Sequence, residues 1–350
     1  MAVRRVTLKQ VAELAGVSGT TASFVLSGRR DMRIAPDTAR RVFDAARHLN
    51  YRPYLAARSL TGHSSGTIGF ISDTVATDTF AGQIIQGCLT TALLKDHLLL
   101  IGETQGNPHL ERQLIRAMQD RGVTSFLYAS MFTRAVTVPA DLRDGPLVLV
   151  NCFHDHHPAT AVIPDERDGG RTAAGRLLAD GHTDRIYLVG ETPDHVWAAE
   201  QRRFGIDEAL ATAGQHVAGI VDCRWWSEAA HAAVSDFLVA HPGRPTAFIC
   251  LNDRVAWGTY QAVHEAGLTV PDDVSVISFD DSDLAEWVRP GLTSVGLPHF
   301  ELGRTATETL LELPAGPPSV RTLLMPLAER SSVAPASPRS RTPTRKHRRA

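Results

Sequence analysis

Residues 6–27 read VTLKQVAELAGVSGTTASFVLS, and their pattern decides how the head of the chain folds. Leu8, Val11, Ala12 and Leu14 recur at helical spacing. Gly16 then permits the sharp turn that a residue with a Cβ resists. Ser18 falls where an N-cap belongs, and its hydroxyl can accept from a free N–H of the next helix. The spacing predicts that helix over about 19–27, burying Ala22, Val25 and Leu26 and leaving Gly19, Thr20 and Ser23 on the other side. Two short helices, a tight turn and a polar leading edge make a helix-turn-helix, whose second helix enters the DNA major groove.

Outward from this stretch, a third helix is expected from Pro36 to Leu49, with Ala39, Val42, Phe43, Ala46 and Leu49 on one face. Pro36 suits the first helical position and Asp37 the positive helix end. Ala35 stands at the cap and cannot cap, an omission that costs about 1 kcal/mol. Asn50-Tyr51-Arg52-Pro53-Tyr54 is extended, because a residue before proline avoids the helical region. Leu55 to Gly62 allows barely two helical turns, too few to stand alone in water. It is either a plain linker or a helix that forms against a partner, DNA being the candidate.

Charge is distributed unevenly. The 350 residues carry a net charge of −2, yet residues 1–65 hold 11 Lys+Arg against 4 Asp+Glu, and residues 339–350 hold 6 Lys+Arg and no acid. The remainder is net −15. A basic head on an acidic body is the footprint of a phosphate-binding module joined to a regulatory one. Nearly all the basic residues are arginine, which suits bidentate phosphate contact. The tail SPRSRTPTRKHRRA, within the segment 334–350, is rich in Pro and Arg with no apolar face, and is expected to be disordered. It either adds non-specific DNA affinity or is a solvated end. Cys88, Cys152, Cys223 and Cys250 have neither metal nor redox spacing and read as buried free thiols of a reducing cytoplasm. No apolar run approaches membrane length and the N-terminus has no apolar leader. A cytoplasmic protein with no membrane partner is expected.

From about Thr67 to Val333 short apolar runs alternate with helical stretches: 68–71, 98–101, 125–128, 147–150 and 162–163, then 186–189, 217–220, 247–250 and 274–277. Such runs predict parallel sheets covered on both faces, here two doubly wound subdomains. Ligands of these sheets bind beyond the carboxyl ends of the strands. Asp73, Asn151, Asn252, Asp253 and Asp280 fall just after predicted strands, and Arg202 lies on a helix. Phe80 and Trp226 offer flat apolar faces. Carboxylates, amides and a guanidinium beside an aromatic plate suit a polyhydroxylated ligand such as a sugar. The competing reading is that strand-end Asp and Asn only cap the following helices.

Catalytic patterns are missing: there is no phosphate loop, GxSxG or HExxH. His154-Asp155-His156-His157 lacks a second cluster and reads as a solvated loop, so no metal, no cofactor and no catalytic residue is assigned. An enzyme is not expected.

The chain resembles the LacI/GalR family of bacterial transcriptional regulators over about residues 5–333. The matching motifs are VTLKQVAELAGVS at 6–18, LNYRP at 49–53, RRFG at 202–205, CLNDRVAWG at 250–258, VPDDVSVISFDD at 270–281, RPGLTSV at 289–295 and LAERSSV at 327–333. The resemblance implies an all-α helix-turn-helix headpiece (1–50), a hinge with a short DNA-induced helix (51–65) and an α/β periplasmic-binding-protein-like core of two doubly wound parallel-sheet subdomains (66–333). The N-subdomain would take about 66–163 and 292–322, and the C-subdomain about 164–290 and 323–333, with crossovers near 163, 291 and 323. It further implies a homodimer, or a tetramer, on a palindromic double-stranded operator, acting most often as a repressor. A small-molecule effector in the cleft would control it.

By the same matching, Gly19, Thr20 and Phe24 take the base-reading positions. Thr7, Ser18, Thr21, Ser23 and Tyr51 join the DNA-facing set, with hydroxyls at 18, 21 and 23 as phosphate donors. Leu60 would wedge into the minor groove with Ala57 beside it. Effector contacts would be Asp73, Phe80, Asn151, Arg202, Trp226, Asn252 and Asp280, with Arg202 paired to Asp280 across the cleft. Trp225 beside Trp226 leaves that register open by one. Two departures stand out: Gly19, Thr20 and Phe24 are poor in base-reading polar groups, and Tyr54 replaces the family's usual Asn. The alternative from another class is a sugar-binding or enzymatic module whose basic head binds something other than DNA.

Overall fold

The structure is a computed structural model and describes residues 6–26, 34–51, 66–77, 81–154, 159–191, 196–241, 245–313 and 317–336. Ala57, Leu60, Tyr54 and Phe80, most of the proposed hinge and the last residues of the tail lie outside the described residues.

The headpiece has three helices, α1 (Leu8–Ala15), α2 (Gly19–Leu26) and α3 (Pro36–His48). Thr7 caps α1 in a reciprocal box: Gln10 N donates to Thr7 Oγ1 at 3.4 Å, and Thr7 N donates to Gln10 Oε1 at 2.8 Å. Gly16 ends the helix with φ of 65°, the left-handed turn its position demands. Ser18 Oγ accepts from Thr21 N at 3.0 Å and so caps α2. Ala35 makes no side-chain cap, leaving Pro36 to start α3. Val11, Ala12, Ala15, Ala22, Val25, Val42, Ala45 and Ala46 form the small core. Two residues of the apolar pattern do not join it: Leu14 and Phe43 are 53% and 48% exposed. Both lie off the stripe, and in α3 it is the opposite flank, at Ala45, that is buried.

The body opens with β1 (Thr67–Ser72), α4 (Gly82–Leu94), β2 (Leu98–Glu103), α5 (Pro108–Gln119), β3 (Ser125–Ala135), β4 (Leu147–Phe153) and β5 (Ala161–Pro164). Then follow α6 (Glu166–Ala179), β6 (Ile186–Val189), α7 (Trp197–Thr212), β7 (Gly219–Val221), α8 (Ser227–Ala240), β8 (Ala247–Cys250), α9 (Asp253–Glu265), β9 (Ser275–Asp280) and α10 (Asp283–Trp287). It closes with β10 (Thr293–Gly296), α11 (His299–Leu311), β11 (Val320–Leu323) and β12 (Leu327–Ala328). One sheet runs β11-β5-β4-β3-β1-β2 and the other β12-β10-β9-β8-β6-β7. Each therefore repeats the same winding, with its second strand outside its first, and each reverses direction between its first and third strands. That reversal opens a crevice at the carboxyl ends.

The chain passes between the lobes after β5, after β10 and after β11. The middle passage corrects the expected crossover near 291: β10 belongs to the second sheet, paired to β9 from Thr293 to Gly296. The buried Thr293-Ser294-Val295 run completes that sheet before the chain leaves for α11. A second difference is β12, which pairs antiparallel to β10, so the second sheet is not wholly parallel. A third is β2, an edge strand whose Leu98 and Ile101 are exposed rather than covered. All four cysteines are buried and free.

Helices α6 and α7 touch backbone to backbone. A Cβ on Gly205 would collide with the Arg167 carbonyl, and one on Gly170 with the Arg202 carbonyl. This approach brings the start of α6 beside the Arg202 side chain.

Candidate functional site

A cavity of about 430 Å³ lies between the lobes, at the strand ends where both sheets reverse. The first lobe brings Phe132 and Thr133 from β3 and Asn151 from β4; the second brings Arg202, Trp225, Trp226, Asn252 and Asp280. At the crossover, Glu166 opens α6.

Arg202 is only 2% exposed and sits at the centre of the polar floor. Its Nε donates to Glu166 Oε2 at 2.7 Å, its Nη1 donates to the Leu251 carbonyl at 2.6 Å, and Asp280 Oδ1 is 3.8 Å away. Its guanidinium also lies 4.7 Å from the Phe279 ring centre. Burial alone would lower its pKa, but Glu166, Asp280 and Asp253 outweigh burial and raise it. The expected pairing with Asp280 is present, but it does not span the cleft. Arg202 and Asp280 both belong to the second lobe, and the closer partner is Glu166.

Asp280 ends β9 with φ of 107°, a left-handed conformation that a non-glycine residue holds only under constraint. Burial pushes its carboxyl up to about 8, and Asp253 and Glu166 add to the rise while Arg202 opposes it. Asp253 beneath it is buried and held by the hydroxyls of Ser278, Ser282 and Ser294 and by Ser282 N.

Asn252 lines the cavity but its Oδ1 also caps α9, accepting from Val255 N at 2.8 Å. Asn151, at φ of 55°, donates from Nδ2 to the carbonyls of Ser130 and Met131, both at 3.0 Å. Trp225 and Trp226 both line the cavity. Trp225 is the inner one: its Nε1 donates to the Glu191 carbonyl at 2.9 Å and its ring meets Phe132 edge-on at 5.8 Å. Trp226 is 57% exposed beneath the Arg254 guanidinium, 4.9 Å from its ring centre.

Asp73 does not line the cavity. Its carboxylate accepts from Ser130 Oγ (2.9 Å), Met131 N (2.9 Å), Arg134 Nη2 (3.0 Å) and Thr74 N (2.7 Å). Those bonds brace the far half of β3, which reaches over the second lobe. Phe80 lies outside the described residues.

Glu166, Thr133, Phe132, Glu191, Arg224, Arg254 and His299 line the cavity without having been singled out from the sequence. Glu166 stands two residues beyond β5, so the strand-end rule that selected Asn151 could have found it. Thr133 and Phe132 were hidden because the apolar run of β3 breaks at Ala129-Ser130 while the strand continues to Ala135.

In the headpiece, Gly19, Thr20 and Ser23 are exposed along α2, with Phe24 half-buried among them. Ser18 and Thr21 share a hydroxyl contact of 2.8 Å at its leading end. Thr7 is exposed, and its hydroxyl is engaged in the cap of α1. Tyr51 packs on the headpiece core, its N–H donates to the Ala46 carbonyl at 2.8 Å, and burial raises its pKa.

A helix-turn-helix headpiece on two like-wound lobes that enclose a ligand-sized cavity defines a class: DNA-binding regulators built on a periplasmic-binding-protein-like core. Residues 7–54 match the model of bacterial regulatory proteins of the lacI family, and residues 158–333 match the periplasmic binding protein-like domain. The chain is 34% identical over 310 residues to the HTH-type transcriptional repressor PurR of Vibrio campbellii, a match covering 87% of this chain and 91% of that one. Among solved structures it resembles the lac repressor dimer bound to operator and the anti-inducer ONPF, with TM-score 0.81, 24% identity and coverage of 95% and 100%. A putative lacI-family regulator from Rhizobium etli superposes with TM-score 0.70 at 28% identity, covering 78% of this chain and all of that one. The chain belongs to the lacI family of bacterial regulatory proteins and is a DNA-binding transcriptional repressor of that type. Among the described residues no helix is long and apolar enough to cross a membrane, and no group of three His, Cys, Asp or Glu is placed to hold a metal.

Proposed function

We propose that this repressor binds a palindromic operator as a homodimer and that a small polyhydroxylated molecule, a sugar or sugar derivative, controls it from the cavity between the lobes. The observation that carries this reading is the cavity itself. Charged and amide groups (Glu166, Arg202, Asp280, Asn151, Asn252) stand beside the aromatic faces of Phe132, Trp225 and Trp226, a combination that matches hydroxyls on one side and a C–H face on the other. It also lies where the chain crosses between lobes, so whatever fills it bears on their relative position.

On the DNA side, Gly19, Thr20 and Phe24 face bases, while Ser18, Thr21 and Ser23 contact phosphates. Thr7 and Tyr51 support that surface from the headpiece. Leu60 and Ala57 are assigned to the minor groove. With so few base-reading polar groups, much of the specificity would come from DNA shape and half-site spacing.

One experiment tests both halves. Fluorescence anisotropy on a palindromic promoter fragment is run across salt, with and without a sugar panel, for the wild type and Arg202→Ala. Binding should weaken steeply with salt, because dimer contacts release counterions. Arg202→Ala should keep DNA binding and lose the effector response. A flat salt dependence would remove the operator reading, and a normal response in Arg202→Ala would remove that residue from the site.

A further inference from the structure

On the cavity floor, acceptors outnumber donors at one point. Asn151 Nδ2 is committed to two backbone carbonyls, which turns its Oδ1 toward Thr133. Thr133 Oγ1 lies 2.7 Å from that oxygen and 3.0 Å from Glu166 Oε1. A hydroxyl carries one proton, so Thr133 can satisfy only one of the two at a time. Arg202 Nε holds the other oxygen of Glu166 at 2.7 Å, but Arg202 Nη2 reaches Oε1 only at 3.4 Å, near the limit of a hydrogen bond. Glu166 is 1% exposed and lines the cavity. A buried acceptor short of a donor is costly, and more so for a carboxylate.

We propose that Glu166 is the specificity-determining acceptor of this cavity: its Oε1 takes a hydroxyl donor from the effector. The inference rests on the effector reading above and names the atom that does the selecting. When the ligand hydroxyl donates to Glu166, the Thr133 proton is released wholly to Asn151. One ligand group then satisfies an acceptor on each lobe, because Glu166 belongs to α6 of the second lobe and Thr133 and Asn151 to strands of the first. Ligands of similar shape that cannot donate there leave the deficit in place and are rejected.

The test uses the full chain and a fixed panel of D-ribose, D-glucose, D-galactose, cellobiose and their phosphates. A panel member that raises the melting temperature is compared by calorimetry with its single-deoxy and deoxyfluoro analogues, since fluorine cannot donate. For one hydroxyl, both analogues should bind the wild type roughly 10- to 100-fold more weakly. In Glu166→Gln, whose oxygen faces Arg202 and whose amide N–H₂ replaces the acceptor, the same changes should cost less than about threefold. In Thr133→Val, which leaves Glu166 in place and tests the idea even if Glu166→Gln fails to fold, the full penalty should persist. Sugar binding with an undiminished penalty in Glu166→Gln, or with the penalty lost in Thr133→Val, overturns this inference and leaves the effector reading standing. No shift from any panel member overturns both.

Discussion

Asp280 shows how one buried carboxyl carries a pH dependence into the fold. Unfolded, it titrates at its ordinary 3.8; folded, burial pushes it up to about 8. Across that window the folded chain holds a proton that the unfolded chain has lost, so this group lowers stability as pH rises from 3.8 to about 8. Asp280→Asn should flatten that part of the profile. Melting temperatures of both proteins between about pH 5 and pH 8 check it, and parallel curves would assign the dependence elsewhere. Arg202 is the counterpart. Its bonds to Glu166 and the Leu251 carbonyl let it organise the floor of the cavity that it also lines. At this scale the sequence was informative about residue type and weak about partner. Asp73, Asn252 and Asp280 stand at strand ends as read, whereas Asn151 falls inside β4; and Asp73 braces β3 while Asn252 also caps α9. A strand-end carboxylate or amide looks the same in sequence whichever way it turns.

The element that matters most for the cavity is the far half of β3. Its pairing with β4 shifts register between Ala129 and Arg134, and beyond that shift it leans onto the second lobe through Phe132 and Thr133. Asp73 holds it there with three bonds to Ser130, Met131 and Arg134. Asp73→Ala should free this arm: amide exchange over 130–135 should quicken, with a loss of about 1–3 kcal/mol in stability. Unchanged protection would show that the arm is held by packing alone. The pair α6 and α7 makes a second test. Gly205→Ala sets a methyl against the Arg167 carbonyl and should cost about 1–3 kcal/mol or more by chemical denaturation. It should also weaken ligand binding, because the same contact positions Arg202. Secondary structure was legible wherever period and punctuation agreed, as at Gly16 and Ser18. It was illegible in the second half of β3, where polar residues interrupt a strand that still pairs with β4 at Arg134 and Ala135 and turns Phe132 and Thr133 to the other lobe.

At the scale of the molecule, the two lobes repeat one winding, and the alternation of apolar runs from Ile68 to Ile277 announced it. The strand added after the repeat was not announced: β10 is short and reads as part of the passage to α11. The same repeat leaves an apolar margin. Leu93, Leu94, Leu98 and Ile101 are 53%, 79%, 57% and 41% exposed along the end of α4 and the edge strand β2. An edge strand flanked by exposed leucines is a liability unless covered, and the dimer proposed above is expected to set a second copy over it. Leu94→Asp should therefore raise the dimer dissociation constant about tenfold or more, measured by sedimentation velocity. An unchanged constant would place the dimer contact elsewhere.

The three passages between lobes also govern the order in which the protein can be made. The first lobe begins at β1, but its core needs Leu302, Ala306 and Leu310 from α11, and its outer edge is β11. On the ribosome its first five strands emerge early and must wait while almost the whole second lobe is synthesised. That lobe in turn waits for β12, which pairs with β10. Neither half can finish before the other is nearly complete, so a nascent chain that stops around residue 290 forfeits both lobes rather than one.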